Sequence, residues 1–318
     1  MPAFGGINGY TGQGSVGQYK DIKDALYYIE GNEAPIQKIA KYTKAKGHNT
    51  HYWEELKYTN NTSNTEQKTE GQDLTADTPP TKTERYNYLE ENSETYYIST
   101  KVEAAAKNGA FAGVKDYIRE AKKQAMIELK GKLEASLMLG AGDVGSNEST
   151  PTPGKMNGLM TMALGYGSTG YIATASFGTT DGEAAFKAVL NTMRSVGGMR
   201  GMRKAIFTSY PNKDLIAANW VGRTTETVSD AKDATIYADV KVYSSQYGRI
   251  VVYGHDCLGV DSGADLTVFD EEQLNIAWLY QTRTDQLGKT GLADKFAVAN
   301  ACTLQYDKPS TLGYLIVS

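Results

Sequence analysis

The sequence predicts an α+β protein in which some parts project beyond the cores. Three observations carry this expectation. Two strand-like segments enclose a long polar run at 60–82. An amphipathic stretch of about 29 residues follows at 110–139. From there to residue 306, strands alternate with short helices and end on strands.

The elements follow in order. Residues 1–20 are Gly-rich and polar without helical period and read as an extended arm. At 21–42, Ile22, Ala25, Leu26 and Ile29 share a helical face, while Gly31-Asn32 and Pro35 keep the helix short. His51-Tyr52-Trp53-Glu54-Glu55-Leu56 alternates as a strand, and Glu84-Arg85-Tyr86-Asn87-Tyr88-Leu89 mirrors it beyond the polar run. Together they predict a long hairpin, which must be stabilised by other parts because an isolated two-stranded ribbon is marginal.

The strongest single signal lies at 110–139. Phe111, Val114, Ile118, Ala121, Ala125, Leu129, Leu133 and Leu137 form one stripe. Lys115, Arg119, Glu120, Lys122, Lys123, Glu128, Lys130, Lys132 and Glu134 are assigned to the opposite face. A helix of this length spans about 43 Å. Gly140-Ala141-Gly142 ends it, and Gly131 weakens it by about 1 kcal/mol against Ala.

A Gly/Ser/Pro linker at 141–155 leads into an apolar, Gly-containing stretch at 154–176. Thr180-Asp181-Gly182-Glu183 reads as a capping box that opens a second helix, ending at Gly197-Gly198. Strands are expected at 204–208, 238–243, 248–253, 266–269, 276–279 and 296–306, with a helix at 212–220.

Composition narrows the function. Of 318 residues, 40% are hydrophobic and 22% charged, which describes a folded chain rather than a disordered one. This length suits one large domain or two of about 150 residues. Lys+Arg is 33 against 37 Asp+Glu, a net charge of −4, so bulk charge does not wrap nucleic acid. Three His and two Cys leave little material for metal sites or imidazole catalysis, whereas 22 Tyr and 33 Gly suit contact surfaces and turns. Met1-Pro2-Ala3-Phe4 opens no basic, then apolar, leader, and no run approaches the roughly 20 apolar residues of a membrane span. An intracellular chain is expected, with Cys257 and Cys302 as free buried thiols.

Short motifs do not carry chemistry. Gly12-Gln13-Gly14-Ser15-Val16-Gly17 and Gly165-Tyr166-Gly167-Ser168-Thr169-Gly170 fit a dinucleotide pattern without its strand-then-helix context. Gly288-Lys289-Thr290 lacks the upstream glycine of a phosphate loop, because Arg283 stands there. His48 and His51 are expected as solvated hairpin residues, and His255-Asp256-Cys257 as structural. Glu54-Glu55, Glu90-Glu91 and Glu271-Glu272 are neighbours that point to opposite sides of a strand, so each reads as ordinary surface charge. Lys41, Lys44 and Lys46 form one basic cluster, and Lys122, Lys123, Lys130 and Lys132 another, suited to solvent or to acidic partners. No catalytic, cofactor-binding or metal-ligating constellation is expected, and no cofactor.

The order of segments resembles a known family. His51-Tyr52-Trp53-Glu54 is similar to an aromatic strand that opens an extended loop, and 86–100 with Val102-Glu103-Ala104-Ala105 to its return. Ala121-Lys122-Lys123-Gln124 through Glu128, Leu129, Glu134 and Leu137 resembles a spine helix, followed by Met156-Asn157-Gly158-Leu159. Val242-Tyr243 with Tyr247-Gly248, the turn Leu287-Gly288-Lys289-Thr290-Gly291-Leu292-Ala293-Asp294-Lys295, and Cys302-Thr303-Leu304 complete the pattern. Over residues 20–318 this resembles the major capsid protein of tailed double-stranded DNA bacteriophages, the Hong Kong-type Johnson fold. The hairpin tip at 60–82 and the stretch 154–235 depart from it.

The resemblance implies an arm at 1–45, an extended loop at 46–98, a peripheral domain with the spine helix at 99–145, an axial domain at 146–270, and peripheral closing strands at 271–318. It implies a subunit that self-assembles through hexamers and pentamers into an icosahedral head shell around packaged double-stranded DNA. The implied partners are further copies, a portal, scaffolding or decoration proteins, and weak non-specific contact with DNA, with no membrane. The implied location is the virion, after synthesis in the host cytoplasm. In some such capsids a loop lysine cross-links neighbours, and Lys68 and Lys82 occupy that region. The alternatives are a tail or decoration protein, or a small-molecule enzyme with a lid-like hairpin.

Overall fold

The computed structural model describes residues 34–56, 70, 82–108, 117–145, 152–166, 169–173, 180–220, 223–227, 238–258 and 266–317. The expected arm, the helical face at 22–29, the hairpin tip apart from Glu70 and Lys82, and Phe111 and Val114 lie outside the described residues.

In chain order the elements are α1 (Pro35–Ile39), β1 (Lys41–Lys44), β2 (Thr50–Leu56), β3 (Lys82–Tyr88), β4 (Glu90–Ser99), α2 (Thr100–Lys107) and α3 (Tyr117–Leu139). Then come β5 (Ala141–Asp143), β6 (Lys155–Asn157), α4 (Leu159–Tyr166), β7 (Thr169–Ala173), α5 (Thr180–Val196), β8 (Lys204–Thr208), α6 (Tyr210–Asn219) and β9 (Arg223–Thr227). The chain closes with β10 (Ala238–Ser245), β11 (Gly248–Gly254), β12 (Leu266–Asp270), β13 (Leu274–Thr290), β14 (Ala293–Tyr306) and β15 (Gly313–Val317). They build a four-stranded sheet ordered β1-β13-β14-β4, a seven-stranded sheet ordered β7-β15-β12-β8-β11-β10-β9, and two ribbons, β2-β3 and β5-β6.

The long helix α3 lies on the four-stranded sheet. Period-2 alternation turns Glu90, Asn92, Glu94, Tyr96 and Ile98 of β4 inward and leaves Glu91, Ser93, Thr95 and Tyr97 exposed. Ala125 and Leu129 of α3 pack with Val298 of β14 and Tyr96. Leu133 and Leu137 continue the stripe into the larger core, so the sequence periodicity holds along the described helix. One assignment is corrected: Glu134, placed on the charged face, is fully buried (0% exposed). At the helix end, a Cβ on Gly140 would come 2.3 Å from the Met156 carbonyl and 2.6 Å from that of Ser136. Only glycine allows β6 to approach the helix terminus this closely.

The seven-stranded sheet is covered on both sides. Along β8 and β12, Ala205, Phe207 and Phe269 face α4 and the end of α3, while Ile206, Leu266 and Val268 face α5. Strands buried on both faces read as continuous apolar runs, which is the pattern of Lys204-Ala205-Ile206-Phe207-Thr208. The core around Phe207 also takes in Leu274, Ile276, Leu304 and Tyr306 of β13 and β14, so one hydrophobic core joins the two sheets.

Strands β1, β5, β6 and β9 were not expected, and three further differences have a clear physical origin. The apolar stretch at 154–176 contains α4, whose Leu159, Met160, Met162 and Ala163 are all buried; without a polar side it offered no period to read. The strand expected at 276–279 is the 17-residue β13, whose polar second half is stabilised by pairing with β14. Strand β15 was not foreseen; it pairs with β12 and with β7 in the seven-stranded sheet.

Candidate assembly surfaces

The ribbon β2-β3 has the register Thr50↔Tyr88 through Leu56↔Lys82. His51, Trp53, Glu55, Arg85 and Asn87 therefore share one face, and Tyr52, Glu54, Glu84, Tyr86 and Tyr88 the other. The first face docks on the body. Asn87, fully buried, donates from Nδ2 to the carbonyls of Asn157 (3.0 Å) and Leu304 (2.7 Å), and its Oδ1 accepts from the amides of Asn157 (2.7 Å) and Tyr88 (2.8 Å). His51 Nε2 bonds Gln305 Oε1 at 2.8 Å, and its Nδ1 accepts from the Lys46 amide. Glu55 takes Arg85 Nε at 2.8 Å and the Ser310 hydroxyl, and the Arg85 guanidinium lies 5.2 Å from the Tyr166 ring centre.

The second face is exposed at Tyr52, Glu54, Glu84 and Tyr86 and half-buried at Tyr88. Tyr52, Tyr86 and Tyr88 form an aromatic ladder with ring centres 6.1 and 5.6 Å apart. Beside it Glu54 and Glu84 stand directly opposite each other, an unfavourable like-charge pair, with Lys82 bonding Glu54 at 2.8 Å. A face of tyrosines and carboxylates is suited to a protein surface with basic groups. Exposed basic side chains occur on the same chain: Lys41, Lys44 and Lys46 at the β1 edge, and Lys123 and Lys130 on the outer side of α3 beside Met126 and Ile127. At the far end of the four-stranded sheet, Tyr97 (76% exposed) and Leu292 (82% exposed) present apolar surface.

Several sequence expectations are corrected here. His51 is buried, not solvated, whereas His48 is exposed. Glu54 and Glu55 do point to opposite faces, but Glu55 is buried and bonded. Glu90 is likewise buried, with its carboxylate on the Ser136 hydroxyl (2.7 Å) and the Met156 amide (3.0 Å). Neither reads as surface charge any longer: each satisfies donors brought from distant parts of the chain. Glu183 of α5 is buried, accepts from Tyr243 Oη at 2.9 Å and pairs with Lys187. Burial, with Glu183 beside it, raises the Tyr243 phenol far above its usual range. Cys257 is half-buried and Cys302 fully buried, both free. Lys68 and the pattern at 12–17 lie outside the described residues.

A cavity of about 440 Å³ opens where the ribbon meets the four-stranded sheet, lined by His48, Asn49, Glu90, Glu91, Pro153 and Tyr280 among others. Its carboxylates are engaged, Glu90 as above and Glu91 with the Tyr280 hydroxyl. Among the described residues no group of three His, Cys, Asp or Glu is placed to hold a metal, and no helix is long and apolar enough to cross a membrane.

Comparison with known proteins adds to this geometry. A family model described as SU10 major capsid protein matches residues 9–317. Among curated proteins nothing matches. Among solved structures, a chain from Gordonia phage Cozz is similar at 13% identity and TM-score 0.61, over 99% of this chain and 94% of that one. The capsid of the native GTA particle gives 12% and 0.63, over 97% and 98%. The capsid structure of cyanophage P-SCSP1u gives 11% and 0.58, over 95% and 92%. At such identities the likeness is one of fold, and it extends over nearly the whole chain.

Proposed function

The chain belongs to the SU10 major capsid protein family, and from that premise we infer how its surfaces serve a shell. It is a bacteriophage major capsid protein with the Johnson fold, a structural subunit of the virion that assembles with its own copies into an icosahedral head shell.

The finer reading is a proposal. The subunit divides into an arm at 1–45, an extended loop at 46–98, peripheral parts at 99–145 and 271–318, and an axial domain at 146–270. Three strands cross those limits: β1 and β4 lie in the sheet under the spine helix, and β15 in the seven-stranded sheet. The shell encloses double-stranded DNA and touches it weakly, as the net charge of −4 favours. Portal, scaffolding or decoration proteins are further partners, and the chain is made in the host cytoplasm. It performs no catalysis and carries no catalytic, cofactor or metal residues.

The observation that carries the reading is the family match over residues 9–317. The docked ribbon supports it, with one face held to the body and a tyrosine–carboxylate face left for a neighbour. Size exclusion and electron microscopy of the purified protein across ionic strength test it. Rings of five or six subunits, or closed shells, are expected; a chain that stays monomeric at every salt and protein concentration overturns it.

A further inference from the structure

Every second residue of β4 and of β14 turns toward α3. The register sets these residues opposite one another: Glu90 against Cys302, Asn92 against Asn300, Glu94 against Val298 and Tyr96 against Phe296. Glu90 is bonded to Ser136 of α3 and Glu94 to Lys132, while Tyr96 stacks on Phe296 with ring centres 5.3 Å apart. Val298 packs with Leu129, and Cys302 belongs with Leu133 to the larger core. The asparagine pair therefore lies where those two apolar clusters part. Asn300 is 2% exposed, and its Nδ2 donates to Thr282 Oγ1 at 3.4 Å. Its Oδ1 is buried with no partner among the described residues, and so is Asn92 Nδ2. One is an acceptor and the other a donor, on side chains directly opposite across two strands, yet no hydrogen bond joins them.

We propose that one internal water bridges Asn92 Nδ2 and Asn300 Oδ1 between the sheet and α3, and that the bridged pair fixes the register of β4 on β14. The proposal goes beyond the capsid reading and applies to the unassembled subunit. Directly opposed residues of a sheet stand about 4.5–5.5 Å apart at Cβ. A water spans such a pair by accepting from the amide N–H and donating to the carbonyl. Without it, each group bears the cost of burial unpaired.

The effect on register follows from the period of a strand. A one-residue slip turns Tyr96 and Ile98 outward and is rejected by the apolar face. A two-residue slip keeps every side chain on its own face, so alternation does not reject it. It does set Asn92 against Val298 or Cys302 and leaves both amides buried beside apolar groups. β4 follows β3 after Leu89 alone, so its register decides where the returning strand of the ribbon meets the body.

A map of the protein at a resolution that shows ordered waters tests the bridge directly. A density peak within hydrogen-bond distance of both Asn92 Nδ2 and Asn300 Oδ1 is expected. Amides bonded to each other, or facing with nothing between them, overturn the proposal. Denaturant unfolding of the unassembled subunit gives a second reading. Asn92→Leu and Asn300→Leu each strand one buried group and are expected to lower the folding equilibrium constant about tenfold or more. The double variant removes both groups, and its loss is expected to be about tenfold smaller than the product of the single losses. Single losses that simply multiply in the double variant overturn the coupling. The double variant is also expected to lose about threefold or more of the hydrogen-exchange protection of β4, with β12 unchanged, as the slipped register competes. Protection of β4 equal to wild type overturns the register role. The map of the unaltered protein keeps the test valid if a variant folds poorly.

Discussion

Asn87 is the most exacting single contact between the ribbon and the body. Its amide makes four hydrogen bonds with no exposure, so both donors and both acceptor directions are used. The partners lie on three segments: β3 itself, β6 and β14. In Asn87→Ala, the carbonyl of Leu304, the amide and carbonyl of Asn157 and the amide of Tyr88 lose their side-chain partner at the junction. A made hydrogen bond contributes about 1 kcal/mol net, and a buried group left unpaired costs about 1–3 kcal/mol. Four such losses, partly offset by water at the less buried sites, predict a destabilisation of about 3–5 kcal/mol. Denaturant unfolding of the unassembled subunit is the assay, with Trp53 on the same ribbon face reporting local undocking by fluorescence. Asn87→Asp is a sharper control, because it sets carboxylate oxygens against the carbonyls of Asn157 and Leu304, and it is expected to be at least as damaging. A loss below about 1 kcal/mol for Asn87→Ala, with unchanged Trp53 emission, refutes the reasoning, since water would then be replacing the amide at little cost.

Other outcomes follow from local geometry. Gly131→Ala is expected to stabilise α3 by about 0.5–1 kcal/mol: no atom lies within 4 Å of the added Cβ, and thermal unfolding checks this. Leu137→Ala, at a fully buried site in the joint core, is expected to cost about 2–5 kcal/mol in denaturant unfolding. Gly313→Ala places a Cβ 2.3 Å from Met193 Sδ and 2.9 Å from Val189 Cγ1, and it is expected to lower stability by about 1–3 kcal/mol as α5 shifts off β15. Burial raises the Cys302 thiol far above its ordinary range, so in the folded chain a thiol reagent at mildly alkaline pH is expected to label half-buried Cys257 first. Equal labelling would show that Cys302 is reached by solvent.

Much of the fold was legible because its signals are local. The stripe Ala125, Leu129, Leu133 and Leu137 marks the buried side of α3 by spacing alone. The strands on either side of the polar run pair in a simple antiparallel register, with Trp53 and Arg85 on one side and Tyr52 and Tyr86 on the other, as alternation requires. The helix α4 was illegible because an element apolar on all sides has no period.

The polar residues that hold the molecule together were misread for a different reason. Glu55 and Glu90 each adjoin another glutamate, and Glu134 lies two residues from Lys132, where surface charge is the ordinary reading. A charge enters a core only when partners wait there, and those partners are remote: His255 is 121 residues from Glu134, and Leu304 is 217 residues from Asn87.

The sequence by itself determined the long helix with its buried stripe and the two faces of the ribbon, because each rests on periodicity within a few turns of chain, and the order of its segments carried the resemblance to a shell subunit. The tertiary structure alone decided which carboxylates, histidines and asparagines lie inside and that β15 joins the seven-stranded sheet. Burial of a polar group and the pairing of a strand edge depend on what arrives from elsewhere in the chain, and no local pattern records that arrival.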